Sequence, residues 1–422
     1  MKQIFEEYTA LLEREMVLAL GCTEPIAIAY AAAVGRKVLG FFPERMVVAC
    51  SADVIKNTKS VLVPNAGNLH GIAAAALMGL MGGDPNRSME VLASVTPDVQ
   101  KKAQKLLEDG FCQVEGLETE IPLVIQVRLF GNSESSTVEI SGSHSRISRK
   151  ERNGKPVDLP ETSRQGENTA SHGYPEMNLE LILEYADQVN LEELLPLLKK
   201  EIDSNLAIAT EGLMRPWGAN VGATLLECNA DDVRRLACAY AAAGSDARMG
   251  GCTLPVVINS GSGNQGLTVS LPVIIYAEYY HRPEERLYRA LIVSNLVAIY
   301  QKSQLGTLSA FCGAVCAATG CGAGIAYLMN GKRDVIEKTI SNTLATVSGI
   351  ICDGAKPSCA AKIASAVNAA ILAYDMAEKG KAFPPGNGIV GQDADATCRN
   401  AMRVGAEGMK ATDRTILQIM LE

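Results

Sequence analysis

Residues 305–331 read LGTLSAFCGAVCAATGCGAGIAYLMNG and contain no charged residue. The stretch is long enough to cross a bilayer as a helix. However, Thr307, Ser309, three cysteines and several glycines dilute its apolarity, and no second segment of this kind accompanies it. Small residues allow helices to pack closely against each other. We therefore predict a pair of buried core helices here and no membrane span.

Helical patterns continue on both sides of this stretch. Hydrophobic residues make up 47% of the 422-residue chain but aromatic residues only 5%, so the core must consist largely of Ala, Val, Leu and Ile. The apolar positions recur with the spacing of helices. The predicted helices are Lys2–Leu18, Ile26–Val38, Leu69–Met81, Asn178–Val189, Leu191–Leu198, Ile202–Glu227, Asp231–Ala243, Glu284–Lys302, Leu308–Leu328, Arg333–Val347, Ala360–Lys379 and Ala394–Ala411.

One segment of the chain has a different character. Thr96 begins a charged helix that continues to Glu108, and Leu123–Phe130 and Ser136–Ile140 alternate in the manner of strands. Residues 143–174 are polar and lack apolar periodicity, which predicts the end of a surface hairpin and a linker. Shorter features are expected elsewhere: strands at Met46–Ala52 and Val256–Asn259, and a polar loop at Asn57–Asn68.

These patterns predict an α+β protein that is mainly α. An Ala- and Gly-rich helical core would comprise residues 1–83 and 175–422, and residues 84–174 would form a small α/β insertion with a polar linker. No internal repeat is visible. The role of the insertion stays open at this point.

Charge and cysteine content restrict the partners and the compartment. Lys and Arg total 39 against 47 for Asp and Glu, a net charge of −8 that repels a phosphate backbone, so we exclude nucleic acid as the main partner. The first fifteen residues lack the basic start and apolar run of a signal peptide, which predicts a cytoplasmic protein. In that reducing compartment the twelve cysteines should be thiols or metal ligands.

Five of the cysteines fall within 48 positions: Cys312, Cys316, Cys321, Cys352 and Cys359. No C-x-x-C occurs in the chain, which argues against zinc ribbons and thioredoxin-like sites. Two interpretations of the spacing remain. The thiolates converge on an iron–sulfur cluster from distant turns, or they are small buried side chains that fill gaps between helices.

Several motifs resemble the iron–sulfur L-cysteine desulfidase family, whose relatives include the alpha part of iron–sulfur L-serine dehydratases. The resemblance extends through nearly the whole chain and is most specific in the C-terminal motif. The motifs are Gly21-Cys22-Thr23-Glu24-Pro25, the Asn259–Gly266 loop, Cys312-Gly313, and Gly349-Ile350-Ile351-Cys352-Asp353-Gly354-Ala355-Lys356 with Cys359.

The resemblance implies a 4Fe-4S cluster held by Cys312, Cys352 and Cys359. It also implies a β-elimination, without pyridoxal phosphate, that converts L-cysteine into pyruvate, ammonia and hydrogen sulfide. Three protein ligands would leave one iron open as a Lewis acid, and soft iron suits a thiolate leaving group. Cys316 and Cys321 lie in the same helical stretch and could replace a ligand, although packing is the simpler role.

Two further residues are candidates for catalysis. Cys22 precedes a helix whose positive N-terminus would favour its thiolate, so it could be the base that removes the Cα proton. Alternatively, Cys22 is an ordinary thiol at a helix start, or a cluster ligand in a resting state. Lys356 lies between two cluster cysteines, where a negative cluster, a bound carboxylate or an ion pair with Asp353 would balance its charge.

The substrate's carboxylate needs hydrogen-bond donors. The Asn259–Gly266 loop can present backbone N–H groups, and Ser262, Asn264 and Gln265 can add side-chain contacts. A second polar group contains Asn57, Lys59, Asn65 and His70, of which Lys59 could pair with the carboxylate or be a solvated loop lysine. The other histidines, His144, His172 and His281, lie in polar segments that predict surface positions without a chemical role.

Two alternatives to an L-cysteine desulfidase remain. L-serine dehydration at a similar site would use hydroxyl instead of thiol as the leaving group. A non-catalytic metal-thiolate or redox-sensing protein would use the same cysteines as an oxidation switch. Both enzymatic hypotheses predict a small amino acid as the partner. The Ala-rich helices offer faces that could join in a homodimer.

Overall fold

The computed structural model describes residues 2–59, 61–157, 173–228, 231–306, 308–329 and 331–422. The protein is mainly helical with a smaller mixed sheet, which confirms the predicted α+β class. The helices are α1 (Lys2–Glu15), α2 (Thr23–Leu39), α3 (Ala52–Thr58), α4 (Gly71–Gly82), α5 (Pro97–Glu108), α6 (Leu179–Gln188), α7 (Leu191–Met214), α8 (Val221–Cys228), α9 (Val233–Met249), α10 (Gly263–Tyr279), α11 (Glu284–Leu305), α12 (Gly313–Met329), α13 (Arg333–Val347), α14 (Ser358–Glu378), α15 (Ala394–Arg403) and α16 (Lys410–Leu421).

Helix α12 is the centre of the helical core, as its charge-free sequence predicts. Its side chains from Ala314 to Leu328 are all buried, and α10, α11, α13 and α14 pack around it. A Cβ atom at Gly320 would lie 2.4 Å from the backbone oxygen of Ser294 in α11. Glycine is therefore needed where these two helices touch, and small residues explain how one helix accommodates four neighbours.

No helix within the described ranges has the length and apolarity that a membrane span requires. The predicted helix over Leu308–Leu328 begins only at Gly313, so that Cys312 lies in the loop that precedes α12.

The sheet has six strands in the order β3-β2-β4-β5-β6-β7. Strands β2 and β3 are parallel, and the other pairs are antiparallel. Helix α2 lies between this sheet and α4. The strands are β1 (Leu18–Leu20), β2 (Arg45–Ser51), β3 (Cys112–Leu117), β4 (Val124–Gly131), β5 (Glu134–Ser141), β6 (Ile147–Arg152), β7 (Lys155–Pro156) and β8 (Pro255–Val257), of which β1 and β8 form a separate antiparallel pair.

Strand β2 comes from the region predicted as helical core and pairs with two strands of the predicted insertion. The sheet therefore joins residues on both sides of position 83, and the division into core and insertion stays a prediction.

Some local predictions are wrong. Leu18 belongs to β1 instead of the first helix, because it pairs with Val257 of β8. Asn57 lies in α3 and not in a polar loop. The break expected after Leu198 is absent, and the helix continues to Met214, where the Pro-containing segment that follows stops it.

The segment predicted as hairpin end and linker also differs from expectation. Residues 147–152 and 155–156 form strands β6 and β7; β6 pairs with β5 and β7 with β6, and this pairing compensates for the weak apolar pattern. The rest of this segment, 158–172 with His172, lies outside the described residues.

Candidate active site

One cavity gathers thiol and polar side chains from distant parts of the chain. Helices α2, α3, α9, α10 and α14 contribute to it, together with the loops before α10 and α12 and the hairpin end after β5. Its lining residues are Thr23, Glu24, Asn57, His144, Arg248, Ser260, Gly261, Ser262, Asn264, Gln265, Lys302, Leu308, Ser309, Phe311, Cys312, Gly313, Ala314, Cys352, Gly354, Ala355, Cys359 and Ile363.

The three cysteines predicted as cluster ligands all line this cavity. A β-bridge between Phe311 and Ile351 aligns the loops that carry the first two. Within it the N–H of Cys312 donates to Ile350 at 3.0 Å, and the N–H of Cys352 donates to the carbonyl oxygen of Ala310. The third, Cys359, is held by the first turn of α14, so backbone structure places all three thiols.

The thiols interact with one another and with nearby lysines. Cys312 donates a hydrogen bond that lowers the pKa of Cys352 well below its usual range, although burial opposes the shift. The N–H of Gly354 and the charges of Lys56 and Lys362 act in the same direction. The same hydrogen bond, together with burial, raises the pKa of Cys312. The thiolate form of Cys352 is therefore favoured at this cavity.

The donor set fits an iron–sulfur cluster better than a single ion. Cys312, Cys352 and Cys359 are free thiols, and thiolates are the usual ligands of such clusters. Within the described ranges, no three His, Cys, Asp or Glu side chains converge closely enough to hold one metal ion. Three thiols that line one cavity are the type of donor that iron–sulfur clusters use.

A second group of lining residues comes from the N-terminal end of α10. Ser262 caps the helix, with its hydroxyl accepting from the N–H of Gln265 at 3.4 Å. Asn264 accepts a hydrogen bond from Arg248 Nη1 at 3.1 Å. Gln265 lines the cavity with a buried Oε1 that has no partner. The three predicted loop residues therefore lie together at the cavity.

Arg248, which sequence reasoning did not identify, lies in the last turn of α9. It is only 5% exposed, and its Nε atom is buried without a hydrogen-bond partner. A signal was present in the sequence, because Asp246 and Arg248 are isolated charges in a helix otherwise rich in alanine. Such residues are buried only at a cost, and this marks them as candidates for a site.

A third group consists of Glu24, Asn57 and His144. Asn57 Nδ2 donates to Glu24 Oε1 at 2.9 Å, and His144 Nε2 lies 3.8 Å from the same oxygen. Burial alone would raise the pKa of Glu24, but the nearby His144 ring and the hydrogen bond from Asn57 outweigh it and lower the pKa to about 2. Glu24 is therefore a buried carboxylate.

The prediction of a surface position for His144 is wrong. The residue is 7% exposed and lines the cavity, because the hairpin end between β5 and β6 folds over the start of α2. The polar sequence around His144 predicted an exposed side chain. Glu24, which is distant in sequence, supplies the buried partner that the local sequence lacks.

Other predicted residues lie outside the cavity lining. Lys59 donates to the backbone oxygen of Met420, and Asn65 Nδ2 donates to Leu92 at 2.9 Å. Lys356 is 3.6 Å from Asp353, the ion pair considered as its simplest role. The substrate and catalytic roles of these residues stay predictions.

Cys22 lies at the N-cap of α2, as the motif predicts, but behind the cavity wall. It packs with Val61 and Met249 against Ala355 and Cys359. Burial raises the pKa of its thiol to about 12, opposite to the direction expected from the helix N-terminus.

Cys316 and Cys321 are buried in α12 and do not line the cavity. The Cys316 sulfur lies 3.7 Å from that of Met402, and Cys321 donates to the carbonyl oxygen of Ala318 at 3.1 Å. These contacts are those of packing side chains.

A helical core with a cavity that combines three thiols, a buried arginine and a buried carboxylate defines a protein with a site for a small polar molecule. The chain belongs to the serine dehydratase alpha chain family, whose model matches residues 86–418. The predicted relationship to the alpha part of these dehydratases is thereby confirmed, and it points to a lyase of the dehydratase type.

The chain also aligns with other proteins over almost the whole length of both chains. The chain is 50% identical over 418 residues to the UPF0597 protein of Lachnoclostridium phytofermentans, an alignment that covers 99% of this chain and 100% of the relative. It is 46% identical to the UPF0597 protein of Desulfitobacterium hafniense, with 99% and 97% of the two chains covered. Identity to the UPF0597 protein of Finegoldia magna is 43%, with coverage of 99% and 100%.

Proposed function

We propose that this protein catalyses the pyridoxal-phosphate-independent β-elimination of L-cysteine to pyruvate, ammonia and hydrogen sulfide, using a 4Fe-4S cluster. The observation that carries the proposal is that Cys312, Cys352 and Cys359, separated by up to 47 positions in the chain, line one cavity. An iron–sulfur cluster agrees with membership in the dehydratase family.

Cys312, Cys352 and Cys359 would hold the cluster. When bound, it would supply an open iron that acts as a Lewis acid toward the leaving sulfur. The protein contributes the placement of the thiols through the Phe311–Ile351 bridge and the first turn of α14. Phe311 also lines the cavity together with Leu308 and Ile363, and these apolar side chains reduce access of water to the thiols.

Elimination also needs a base, because the Cα proton is weakly acidic. His144 lies in the cavity with Nε2 3.8 Å from a carboxylate oxygen of Glu24, and an imidazole is the side chain that most often serves as a general base. A Cβ atom at Gly261 would lie 3.3 Å from His144 Nδ1, so the glycine keeps that side of the ring accessible. His144 is therefore a better placed base than Cys22, which lies behind Cys359.

The bond changes are those of a β-elimination followed by hydrolysis. The Cα–H and Cβ–S bonds break and a Cα=Cβ double bond forms, with the proton taken by the base and sulfur leaving with the bonding electrons. The resulting aminoacrylate takes up water and yields pyruvate and ammonia. No external oxidant or reductant is required.

L-serine dehydration is the second candidate, favoured by the description of the matching family as the serine dehydratase alpha chain. The same cavity residues would serve, with hydroxyl as the leaving group. The softness of thiolate ligands and the closer resemblance in the C-terminal motif favour L-cysteine.

The cysteine chemistry supports a cytoplasmic location. Every cysteine whose side chain is described is free, as expected where glutathione and thioredoxin keep thiols reduced. A homodimer is part of the same proposal and is tested by light scattering on the purified protein.

The decisive experiment is purification without oxygen, followed by measurement of iron, acid-labile sulfide and visible absorbance. Pyruvate and sulfide are then assayed with L-cysteine, and pyruvate with L-serine. We expect a coloured protein that is more active on L-cysteine. Higher activity on L-serine would favour the second candidate, and a colourless, iron-free protein inactive on both would refute the proposal.

Replacement of one predicted ligand sharpens the experiment. Cys352→Ala should lose iron and turnover together, because it removes the thiol with the lowest pKa in the cavity. Cys321→Ala is the matched control: it removes a buried thiol outside the cavity and should keep both iron and activity. Retention of iron and activity in Cys352→Ala would contradict the ligand assignment.

A further inference from the structure

We infer that Arg248 binds the α-carboxylate of the substrate and so restricts the site to α-carboxylate ligands. The inference rests on the proposed function, since it names the group that positions the amino acid against the thiols. It assigns the carboxylate contact to a residue in α9, whereas the sequence directed attention to Lys59 and the Asn259–Gly266 loop.

The burial of Arg248 is the first reason. The side chain is 5% exposed and always charged, yet no carboxylate of the described residues lies within ion-pairing distance of its guanidinium. Its hydrogen bond to Asn264 Oδ1 is with a neutral amide, and its Nε is buried without a partner. A buried cation is stabilised by pairing with an anion, so the buried Nε–H donor of Arg248 suits an anionic group bound in the cavity.

The position of the guanidinium is the second reason. A Cβ atom at Gly263 would lie 2.3 Å from Arg248 Nε and 2.8 Å from Cζ, so the arginine packs directly on the first residue of α10. The N-terminus of this 17-residue helix carries partial positive charge. Arg248 and the helix end therefore act on the same point of the cavity, where a carboxylate can accept hydrogen bonds from both.

Two buried acceptors complete the recognition of an amino acid. Gln265 Oε1 and Asn57 Oδ1 are both buried without hydrogen-bond partners, and both residues line the cavity. An ammonium group supplies the donors that these oxygens lack. A ligand with its carboxylate on Arg248 and its ammonium on these amides would lie beside the thiols, because a Cβ atom at Gly313, the neighbour of Cys312, would be 2.7 Å from the Gln265 side chain.

A competing role for Arg248 is to balance the negative charge of the thiolates, since its charge also acts on Cys359 and Cys22. The two roles differ in what an Arg248 variant loses. A carboxylate contact affects ligand affinity at constant iron content, whereas charge balance affects iron content first.

The test uses Arg248→Gln and Arg248→Lys prepared without oxygen, with L-cysteine and L-cysteinamide as substrates. We expect Arg248→Gln to keep its iron and to lower kcat/KM for L-cysteine by roughly 100-fold, mainly through KM, as loss of a buried charged contact does. Turnover of L-cysteinamide, which has no carboxylate, should be equally poor in wild type and variant. Arg248→Lys should restore part of the affinity.

A binding measurement separates this inference from the proposed reaction. L-alanine carries the same carboxylate and ammonium but no leaving group, and its affinity is measured by calorimetry on iron-loaded and iron-free protein. Arg248→Gln should weaken L-alanine binding in both forms. The matched control is Arg234→Gln, which removes an exposed arginine of the same helix that pairs with Asp375 and should leave affinity unchanged.

Unchanged affinity for L-alanine in Arg248→Gln would overturn the inference, as would loss of iron with unchanged affinity of the iron-free protein. If wild type binds L-alanine through Arg248 but eliminates neither L-cysteine nor L-serine, the inference stands and the proposed reaction fails.

Discussion

Glu201 offers a test of how the core supports the candidate site. This glutamate of α7 is fully buried, and both of its oxygens accept from Asn295 Nδ2, at 3.0 and 3.3 Å. The Asn295 Oδ1 in turn accepts from Asn259 Nδ2 at 2.8 Å, and Asn259 begins the loop that leads to Ser260 in the cavity lining. The perturbation is Glu201→Gln, which keeps the shape and removes the titrating proton.

The magnitude follows from the pKa of Glu201, which burial raises from 4.5 to about 8 against the opposing effect of the Asn295 hydrogen bond. Between these two values the folded protein holds a proton that the unfolded chain has released. The contribution of Glu201 to stability is therefore greatest below pH 4.5, falls as pH rises, and levels off above about pH 8. At about 1.36 kcal/mol per pH unit, this contribution to the free energy of unfolding falls by roughly 2.5 kcal/mol between pH 5 and pH 7.

This energy corresponds to a measurable difference in Tm. With an unfolding entropy of about 2.1 cal/mol/K per residue, the 422-residue chain should shift by roughly 3 °C. The assay records Tm by differential scanning calorimetry from pH 5 to pH 7 for wild type and Glu201→Gln. The variant should gain about 3 °C relative to wild type over this range.

The surface variant Glu285→Gln, whose side chain is 69% exposed, serves as the control and should follow wild type at every pH. Parallel curves for wild type and Glu201→Gln would refute the reasoning, because they would mean that Glu201 releases its proton equally in the folded and unfolded chains.

Two further predictions concern packing and ion pairing. Gly79→Ala should destabilise the protein by about 3 kcal/mol, because its Cβ would lie 2.0 Å from the backbone oxygen of Ala29. Gly349→Ala, with no atom within 4 Å of its Cβ, should be nearly neutral. Equal urea midpoints for the two variants would contradict the close packing of α2 and α4. Lys56→Met should cost about 2 kcal/mol, since Lys56 is buried between the carboxylates of Asp53 and Asp413. Hydrogen exchange in α16 should rise with it, and unchanged exchange would show that this ion pair does not hold the C-terminal helix.

Part of the candidate site was predictable because its residues lie in short motifs. Cys312, Cys352 and Cys359 line the cavity, and so do Ser262 and Gln265. Helix starts close by in sequence set the positions of Cys359, Ser262 and Gln265, whereas the bridge between Phe311 and Ile351 brings together the loops of Cys312 and Cys352.

The residues that sequence reasoning missed owe their positions to contacts between distant parts of the chain. His144 belongs to a polar hairpin end, and its burial depends on Glu24, 120 positions earlier. Arg248 ends an Ala-rich helix and meets the cavity only because Gly263 allows close contact with α10. Conversely, Lys59 carries a positive charge that suits a carboxylate, but its Nζ donates to the backbone oxygen of Met420 in the C-terminal helix.

The amino-acid sequence was sufficient to predict the helical core and the cysteines that line the cavity. The charge-free run around α12 and the regular spacing of small apolar residues leave few alternatives to buried helices, since such a surface cannot face water. Only the tertiary structure decided which polar groups share a cavity. That choice depends on how α3, α9 and the β5–β6 hairpin end pack against the core, and burial and pairing over long sequence distances set the charge of Glu24 and Cys352.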